Sequence, residues 1–513
     1  MSSRCGQGPS ILHPMYMRLT RSTAKTILAN RYRGDKLPEN VLLEIFDAYR
    51  KDVELQPGYK NVWNSRDGWF KLAHVCRSWR RVVLLSPSRL HLHLLFTPRR
   101  SPRAAVLNSL PPLPILIDFS AETETWTNKE VNLALAAIND RSRVHGIALR
   151  RSYLEMVRLL KALSHPFPGL ESLEIRPTHG NYELHLPAAF LSGSAPSLRQ
   201  LSLRVVAPRR LSPLLSSATG LVELTLTLRV LSVALPEAWF IADLQRMSHL
   251  RRLELNLDYY DTRNPYPTML PASAGDVVRL SELTHLFFRG HRIYLQALVV
   301  RLGAPLLQHL EVALCDGSRH SFPIPHLCKF ICDAECQFTE VSLGLADQEL
   351  RFCAGTSSKS LVDVQPFTLA IPKPVSLEQL GQELSRPLTT VEGLIIAWDG
   401  APWRTDSRLQ KDEWRGFCKC VPRVKKVQVP AQVACDVARS FQHGGQGPVL
   451  DLLPALELVE VFLVVGLDGL YKSICDAFSP FIAARRQVGH PIRLLWTFWR
   501  QNFAGVWYRA EST

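Results

Sequence analysis

The chain lacks the features that mark membrane-spanning and secreted proteins. No run of about 18 uncharged apolar residues occurs, which argues against a membrane span. The first 36 residues hold seven basic side chains against a single acid, Asp35, and contain no continuous apolar segment. A secretory signal is therefore not indicated. A mitochondrial presequence is the alternative for this Arg-rich start, which we interpret as a flexible basic tail.

Familiar catalytic motifs are also missing. The sequence contains no Walker-type phosphate loop, no Gly-x-Gly-x-x-Gly after a strand, no Gly-x-Ser-x-Gly elbow and no His-Glu-x-x-His. The glycine-rich residues 443–447 resemble an oxyanion-hole loop, but no nucleophile elbow accompanies them. We expect no enzyme, no catalytic residue and no cofactor. An α/β enzyme with an unfamiliar active site stays an alternative.

Cysteine and charge restrict the partners and the compartment. The 11 cysteines are scattered, and without a secretory signal they suit the reduced thiols of cytoplasm or nucleus. Cys328, Cys332 and Cys336 form one helical stripe near His320 and His326, which we interpret as core packing rather than a metal site. The net charge of +15 is spread along the chain without a recognised nucleic-acid module. It favours acidic protein partners, or only solubility, over nucleic acid.

Residues 37–83 predict two short apolar helices. Pro38 suits a first helical turn, and Asp35 and Glu39 place negative charge at its N-terminus, so a helix should begin near residue 38. A second helix is predicted from Trp69, with one face formed by Leu72, Val75, Cys76, Trp79, Val82 and Val83. About 45 residues cannot enclose much core. These helices therefore need a partner surface.

This pattern, from Leu37-Pro38 to Val75-Cys76-x-x-Trp79, resembles an F-box. The long connection 51–68 and the segment 86–92 resemble F-box proteins of mushroom-forming (basidiomycete) fungi. The resemblance implies docking on the Skp adaptor of an SCF-type (cullin–RING) ubiquitin ligase. It also implies that eight apolar residues either contact that adaptor or hold the helices together: Leu37, Pro38, Leu42, Ile45, Phe46, Val75, Cys76 and Trp79.

From residue 144 onward the phrase apolar-x-x-apolar-x-apolar returns about twelve times. It begins at Val144, Leu170, Leu198, Leu221, Leu250, Leu283, Leu307, Phe338, Val364, Val391, Val424 and Leu456. The last two apolar residues of each phrase alternate with others, as a strand with one buried face requires. Helical stretches lie between phrases, for example at 154–163, 211–218, 295–302 and 431–441. Each strand and helix pair needs its neighbours to bury its apolar side.

The repeat resembles an irregular leucine-rich-repeat solenoid, with a curved parallel sheet inside and helices outside. An α/β domain with an ordinary parallel sheet is the alternative, because the repeats vary in length. The residues that alternate with the buried ones would face the concave surface, where a substrate would bind. They include Ser172, Glu174, Gln200, Ser202, Glu223, Thr225, Arg252, Glu254, His285, Phe287, His309 and Glu311.

We therefore expect an α/β protein with a small all-α F-box before the repeat solenoid. Its predicted divisions are a basic flexible tail (1–34), an F-box domain (35–97), a Pro-rich connection and capping unit (98–140), the solenoid (141–497) and a C-terminal tail (498–513). The expected function is substrate recognition for an SCF-type ligase in cytoplasm or nucleus, with the Skp adaptor, a cullin and a protein substrate as partners, and no metal, membrane or nucleic acid. A leucine-rich-repeat scaffold outside any ligase is the alternative.

Overall fold

The structure, a computed structural model, divides into two compact units, residues 1–116 and 117–513. It describes residues 37–54, 69–87, 89–90, 92–97, 113–119, 128–150, 152–177, 186–205, 211–230, 238–259, 277–315, 325–334, 338–345, 349–355, 367–372, 376–397, 411–442, 452–464, 470–501 and 507–509. The predicted tail at 1–34 lies outside these residues. In the part described, no helix is both long and apolar enough to cross a bilayer.

Among its described residues, the first unit contains three helices and a short strand: α1 (Glu39–Glu54), α2 (Trp69–Ala73), α3 (Arg77–Leu85) and β1 (Leu94–Phe96). The predicted helix start is confirmed, since the first intrahelical bond runs from the Leu42 amide to the Pro38 carbonyl. The prediction of one continuous second helix is wrong. Cys76 adopts extended backbone angles (φ −156°, ψ 174°) and caps α3, its Sγ accepting from the Trp79 amide at 3.4 Å.

The first unit has an apolar interior formed by both sides of that break. Phe46 of α1 and Trp79 of α3 meet edge to face at 5.0 Å between ring centroids. The Trp69 indole Nε1 donates to the His93 carbonyl at 3.3 Å. Fully or nearly buried side chains are Leu42, Phe46, Trp69, Leu72, Ala73, Val82 and Val83. The break between α2 and α3 thus lets two short helices turn separate apolar faces inward.

The second unit is a mixed α/β structure with a large, mostly parallel sheet. Its strands are β2 (Ile115–Phe119, which includes the boundary), β3 (Val144–Leu149), β4 (Ser172–Ile175), β5 (Gln200–Val205), β6 (Glu223–Val230), β7 (Arg252–Tyr259), β8 (Val278–Arg279), β9 (His285–Gly290), β10 (Leu302–Gly303), β11 (His309–Leu314), β12 (Glu340–Leu345), β13 (Glu349–Gly355), β14 (Phe367–Pro372), β15 (Gly393–Ala397), β16 (Lys426–Pro430), β17 (Leu458–Val464), β18 (Arg493–Gln501) and β19 (Trp507–Arg509). All twelve predicted phrases contain a strand.

Helices follow most of these strands. They are α4 (Asn128–Asn139), α5 (Tyr153–Ala162), α6 (Ser212–Ser217), α7 (Ala238–Arg246), α8 (Arg292–Val299), α9 (Pro325–Asp333), α10 (Leu377–Glu383), α11 (Ser385–Leu388), α12 (Lys411–Lys419), α13 (Ala431–Phe441) and α14 (Tyr471–Gln487), with a 3₁₀ turn at Phe190–Gly193. The four helical stretches predicted between phrases are confirmed to within a few residues. The helices bury apolar faces of their own, as α5 does with Met156, Leu159 and Leu160.

A tight turn precedes nine of the strands. The first residue of the phrase donates its amide to the carbonyl three residues earlier, at 3.0 to 3.3 Å, as Leu221 does to Ala218. The accepting residues are Phe167, Ala195, Ala218, Met247, Leu280, Ala304, Leu388, Val421 and Leu453, all buried. The repeated unit is therefore longer than the predicted phrase. A buried residue three positions upstream anchors each turn and fixes where the strand begins.

From β3 to β11 the longer strands lie in chain order. β3, β4, β5, β6, β7, β9 and β11 pair side by side and parallel. Their register places equivalent positions of successive phrases next to one another, as in Leu201, Leu224 and Leu253. The apolar residues of each phrase thus stack into continuous buried rows. Short β8 and β10 pair separately.

Chain order breaks after β11. That strand pairs with β14, not β12; β14 pairs antiparallel with β13, β13 antiparallel with β12, and β12 parallel with β15. The spatial order is thus β11, β14, β13, β12, β15. We call β12–β14 the meander. It places the eighth and ninth phrases in reversed order, with an additional strand between them.

Chain order resumes with β15, β16, β17 and β18, which pair parallel, and β19 pairs antiparallel with β18. The sheet therefore continues past residue 497, where we had expected the solenoid to end.

Candidate functional site

Helix α1 presents apolar side chains to solvent. Val41 is 38% exposed and Ile45, one turn further along, is 41% exposed. Residues four apart lie on one face of a helix, so these two form a small apolar surface, which we call the α1 patch. Pro38 at the start of the same helix is also exposed. The α1 patch is a surface suited to contact with another protein.

The eight residues predicted for adaptor docking fall into three groups. Leu42 and Phe46 are completely buried. Pro38, Ile45 and Val75 are exposed, with Val75 at 59% because it lies in the turn between α2 and α3. The partly exposed residues are Leu37, Cys76 and Trp79. The buried pair holds the helices together, and the exposed group is available for docking. Our set omitted Val41, which its spacing from Ile45 could have indicated.

The strands of the second unit have one buried and one accessible side. Along β4–β11 the alternating apolar residues are buried, and the residues between them are partly or fully exposed. We call the accessible side the open face. All twelve residues predicted to face the concave surface lie on it: Ser172, Glu174, Gln200, Ser202, Glu223, Thr225, Arg252, Glu254, His285, Phe287, His309 and Glu311. The register aligns them in two rows across the sheet.

Two histidines stack in the middle of the open face. The rings of His285 and His309, neighbours on β9 and β11, are 4.3 Å apart and 20° from parallel. Burial lowers the pKa of His285, and the charges of His309 and Arg252 lower it further, with Glu223 acting in the opposite direction. Phe287 lies two residues further along β9. A stacked histidine pair beside a phenylalanine is an amphipathic surface of the kind found at protein interfaces.

Arginines follow three neighbouring strands of the open face. Arg150, Arg176 and Arg204 occupy equivalent register positions on or just after β3, β4 and β5, and we call them the arginine row. Glu174 Oε1 lies 2.7 Å from Arg150 Nε and 3.2 Å from Arg176 Nε. Arg176 also donates to the Ser202 hydroxyl, from Nη2 at 2.9 Å. The strand prediction ended one residue before each arginine and so missed them.

A polar cavity of about 650 Å³ lies where strands β4–β9 begin. Glu282 lines this cavity and makes two ion-pair contacts. One carboxylate oxygen lies 3.0 Å from His249 Nδ1, and the other lies 3.2 Å from Arg251 Nε. These hydrogen bonds lower the pKa of Glu282. The cavity is also lined by Glu171, Ser197 and Arg199. Glu282, His249 and Arg251 pair with one another across adjacent turns, which is a structural use of their charges.

The open face buries a carboxylate near its other end. Glu460 of β17 is 6% exposed, with Oε2 2.6 Å from Lys426 Nζ and 2.8 Å from Gln428 Nε2, and Oε1 accepting from the Thr497 hydroxyl. Burial by itself raises the pKa of Glu460, but the hydrogen bonds from these three side chains outweigh it and lower the pKa. The cluster ties β16, β17 and β18 together.

Two of the described cysteines, Cys328 and Cys418, are buried, whereas Cys315 is exposed. Burial raises the pKa of the Cys418 thiol to about 12, and burial together with Glu383 raises that of Cys328, whose Sγ lies 3.4 Å from Glu383 Oε2. Such thiols remain protonated and unreactive. Among the described residues no three potential metal ligands come together; Cys336 and His320 lie outside that part of the chain.

Comparison with known proteins returns little. No family model and no curated protein matches the chain. Among solved structures it is similar to the leucine-rich repeat-containing protein LegL7 from Legionella pneumophila, at 10% identity over 68% of this chain and 88% of that chain, with a TM-score of 0.27.

Proposed function

We propose that the chain is a substrate-recruiting adaptor of an SCF-type ubiquitin ligase, in which the first unit binds a Skp adaptor and the leucine-rich-repeat-like second unit holds the protein to be modified. The observation that carries this proposal is the α1 patch. The first unit buries Leu42 and Phe46 completely, yet it leaves Val41 and Ile45 in solvent one helical turn apart. Covering them with a partner contributes about 25 cal/mol per Å² of apolar area.

The open face supports the second half of the proposal. Recruitment needs a wide surface of mixed polarity, and β4–β11 present two aligned rows of polar, charged and aromatic side chains. An adaptor needs no chemistry of its own. Holding a substrate lysine beside a charged carrier raises its effective concentration, and this alone accelerates transfer.

The test is retention of the full chain by a purified Skp adaptor. We expect Val41→Asp/Ile45→Asp to weaken retention by more than about tenfold, since two charges would have to be buried in an apolar contact. Leu306→Asp, at a side chain of the second unit that is 58% exposed, is the matched control and should bind as wild type. Equal retention of all three proteins would reject the adaptor role. A second measurement, whether the chain also recruits a cullin, then distinguishes a ligase subunit from a scaffold that works outside any ligase.

A further inference from the structure

The arginine row concentrates positive charge on one part of the open face. The rows at β3–β5 carry three guanidinium groups, Arg150, Arg176 and Arg204, with one carboxylate, Glu174. Neighbouring strands are about 4.8 Å apart, so adjacent arginines of the row lie within the Debye length of about 8 Å at physiological salt. Asp118 on β2 reduces the excess but does not cancel it. Charge of one sign at this density attracts an anionic ligand.

Glu174 orients two of the three arginines. Glu174 Oε1 accepts from Arg150 Nε and forms an ion pair with Arg176 Nε at 3.2 Å, and Arg176 donates from both Nε and Nη2 to the Ser202 hydroxyl. Within the described residues, the two terminal nitrogens of Arg150 and Nη1 of Arg176 make no hydrogen bond. A guanidinium anchored through Nε keeps its outer N–H groups for a carboxylate. The side chains are 33% and 43% exposed, so these groups are accessible from solvent.

The next strands of the open face differ in sign. Among the side chains that the structure describes across β6–β11, there are three carboxylates, Glu223, Glu254 and Glu311, against two arginines, Arg252 and Arg289. A ligand lying over β3–β11 would therefore meet positive charge at the first strands and a weak excess of negative charge at the later ones. Within these strands, a segment rich in carboxylates is complementary to the arginine row.

We propose that the arginine row binds an acidic segment, rich in Asp and Glu, of the protein that the open face recruits. This inference rests on the proposed function for its biological meaning, and it concerns a different surface from the α1 patch. A carboxylate would accept from the outer nitrogens of Arg150 or Arg176, with Glu174 holding these two arginines in place, and Arg204 would add positive charge beside them. Thr227 and Asn256, at the same register position on β6 and β7, extend the row with neutral polar groups.

The test uses the purified full chain without a Skp adaptor, so its outcome is independent of the retention experiment. The probe is a fluorescent peptide of about 12 residues in which Glu alternates with Ser, long enough at about 3.3 Å per residue to cross the row. Gln replaces Glu in a second peptide, and phosphoserine with Gln is used in a third. We expect the Glu peptide to bind, with an affinity that falls as salt rises, and the Gln peptide to bind at least about tenfold more weakly.

Arg150→Gln/Arg176→Gln/Arg204→Gln should weaken binding of the Glu peptide by about tenfold or more. Arg158→Gln/Arg246→Gln/Arg486→Gln removes the same charge from exposed helix positions and should change binding less than about twofold. An equal loss of affinity for the Glu peptide in both triple variants would show that binding depends on net charge alone, and this result would overturn the proposal. Binding of the phosphoserine peptide alone, or of the Gln peptide as well as the Glu peptide, would also overturn it.

Discussion

The regular strands β3–β11 and the meander β12–β14 contain the same sequence phrase but place it differently in space. In the regular part each strand pairs with the next phrase of the chain, whereas the meander reverses the eighth and ninth phrases. A strand phrase therefore specifies a strand, but it does not specify which strand lies beside it.

The largest expected effect is in disulfide formation, which tests directly which strands are neighbours in the sheet. Glu311 and Thr368 are register partners on β11 and β14, so Glu311→Cys/Thr368→Cys should form a disulfide on mild oxidation. Glu311→Cys/Ser342→Cys joins strands that are consecutive phrases in the sequence but about 14 Å apart in the sheet, and it should not. Peptide mapping by mass spectrometry distinguishes the two pairs. A bridge to position 342 would restore simple chain order.

Core truncation should show whether the two regions unfold separately. Phe352 in the meander is fully buried, with its ring 5.8 Å from that of Phe367, so Phe352→Ala should cost about 3–5 kcal/mol of unfolding free energy. Leu224→Ala in β6 should cost about 2–5 kcal/mol. Because repeat structures contact mainly their neighbours, faster hydrogen exchange should stay close to each substitution.

The exposed neighbours provide the controls for that experiment. Arg351→Ala and Thr225→Ala change positions on the accessible side of the same two strands, and each should alter the unfolding free energy by no more than about 0.5 kcal/mol. If Phe352→Ala accelerates exchange equally in β3–β7, the sheet unfolds as one cooperative unit and the distinction between regions fails.

A smaller effect is expected where chain order resumes, at the buried Glu460. Glu460→Gln should lower the unfolding free energy by about 1–3 kcal/mol at neutral pH, while Glu457→Gln, at an exposed position, should change it little. The lowered pKa of Glu460 means that its contribution is present above the ordinary pKa of 4.5 and is lost as pH falls from there through the lowered value. Urea unfolding curves of wild type and variant should therefore converge in acid.

The smallest expected effect is at the stacked histidines of the regular part. The pKa of His285 is lowered, so the unfolded chain takes up this proton near the ordinary 6.5 before the folded chain does. Stability should accordingly fall slightly as pH drops from 6.5 toward the lowered value. Histidine NMR titration checks this direction, and a pKa for His285 at or above 6.5 would contradict the stacked arrangement.

Much of the fold could be predicted because its signals are local. A period of two marks strands with one buried side, and all twelve phrases contain one. The prediction missed the position directly after the strand phrase, where Arg150, Arg176 and Arg204 lie. The prediction of a continuous second helix was wrong for a different reason. Cys76 matched the helical spacing, but it is an N-cap, so one helix ends before it and another begins after it.

The candidate sites could be predicted only in part. Alternation along the strands placed twelve side chains on the open face, because the direction of a side chain in a strand follows from its neighbours. On helix α1, the spacing of apolar residues could not distinguish buried Phe46 from exposed Ile45. Both positions suit an apolar face, and their burial depends on how the other helices pack. Docking on a Skp adaptor and the identity of the recruited protein stay predictions.

The sequence by itself determined where strands and helices form and which side of each strand is buried, because these depend on residues a few positions apart. Tertiary structure alone decided that β14 rather than β12 lies beside β11, that three arginines from three repeats meet on one surface, and that Glu460 is enclosed by Lys426, Gln428 and Thr497. Such neighbours are tens of residues apart in the chain. Only the pairing of whole strands brings them together.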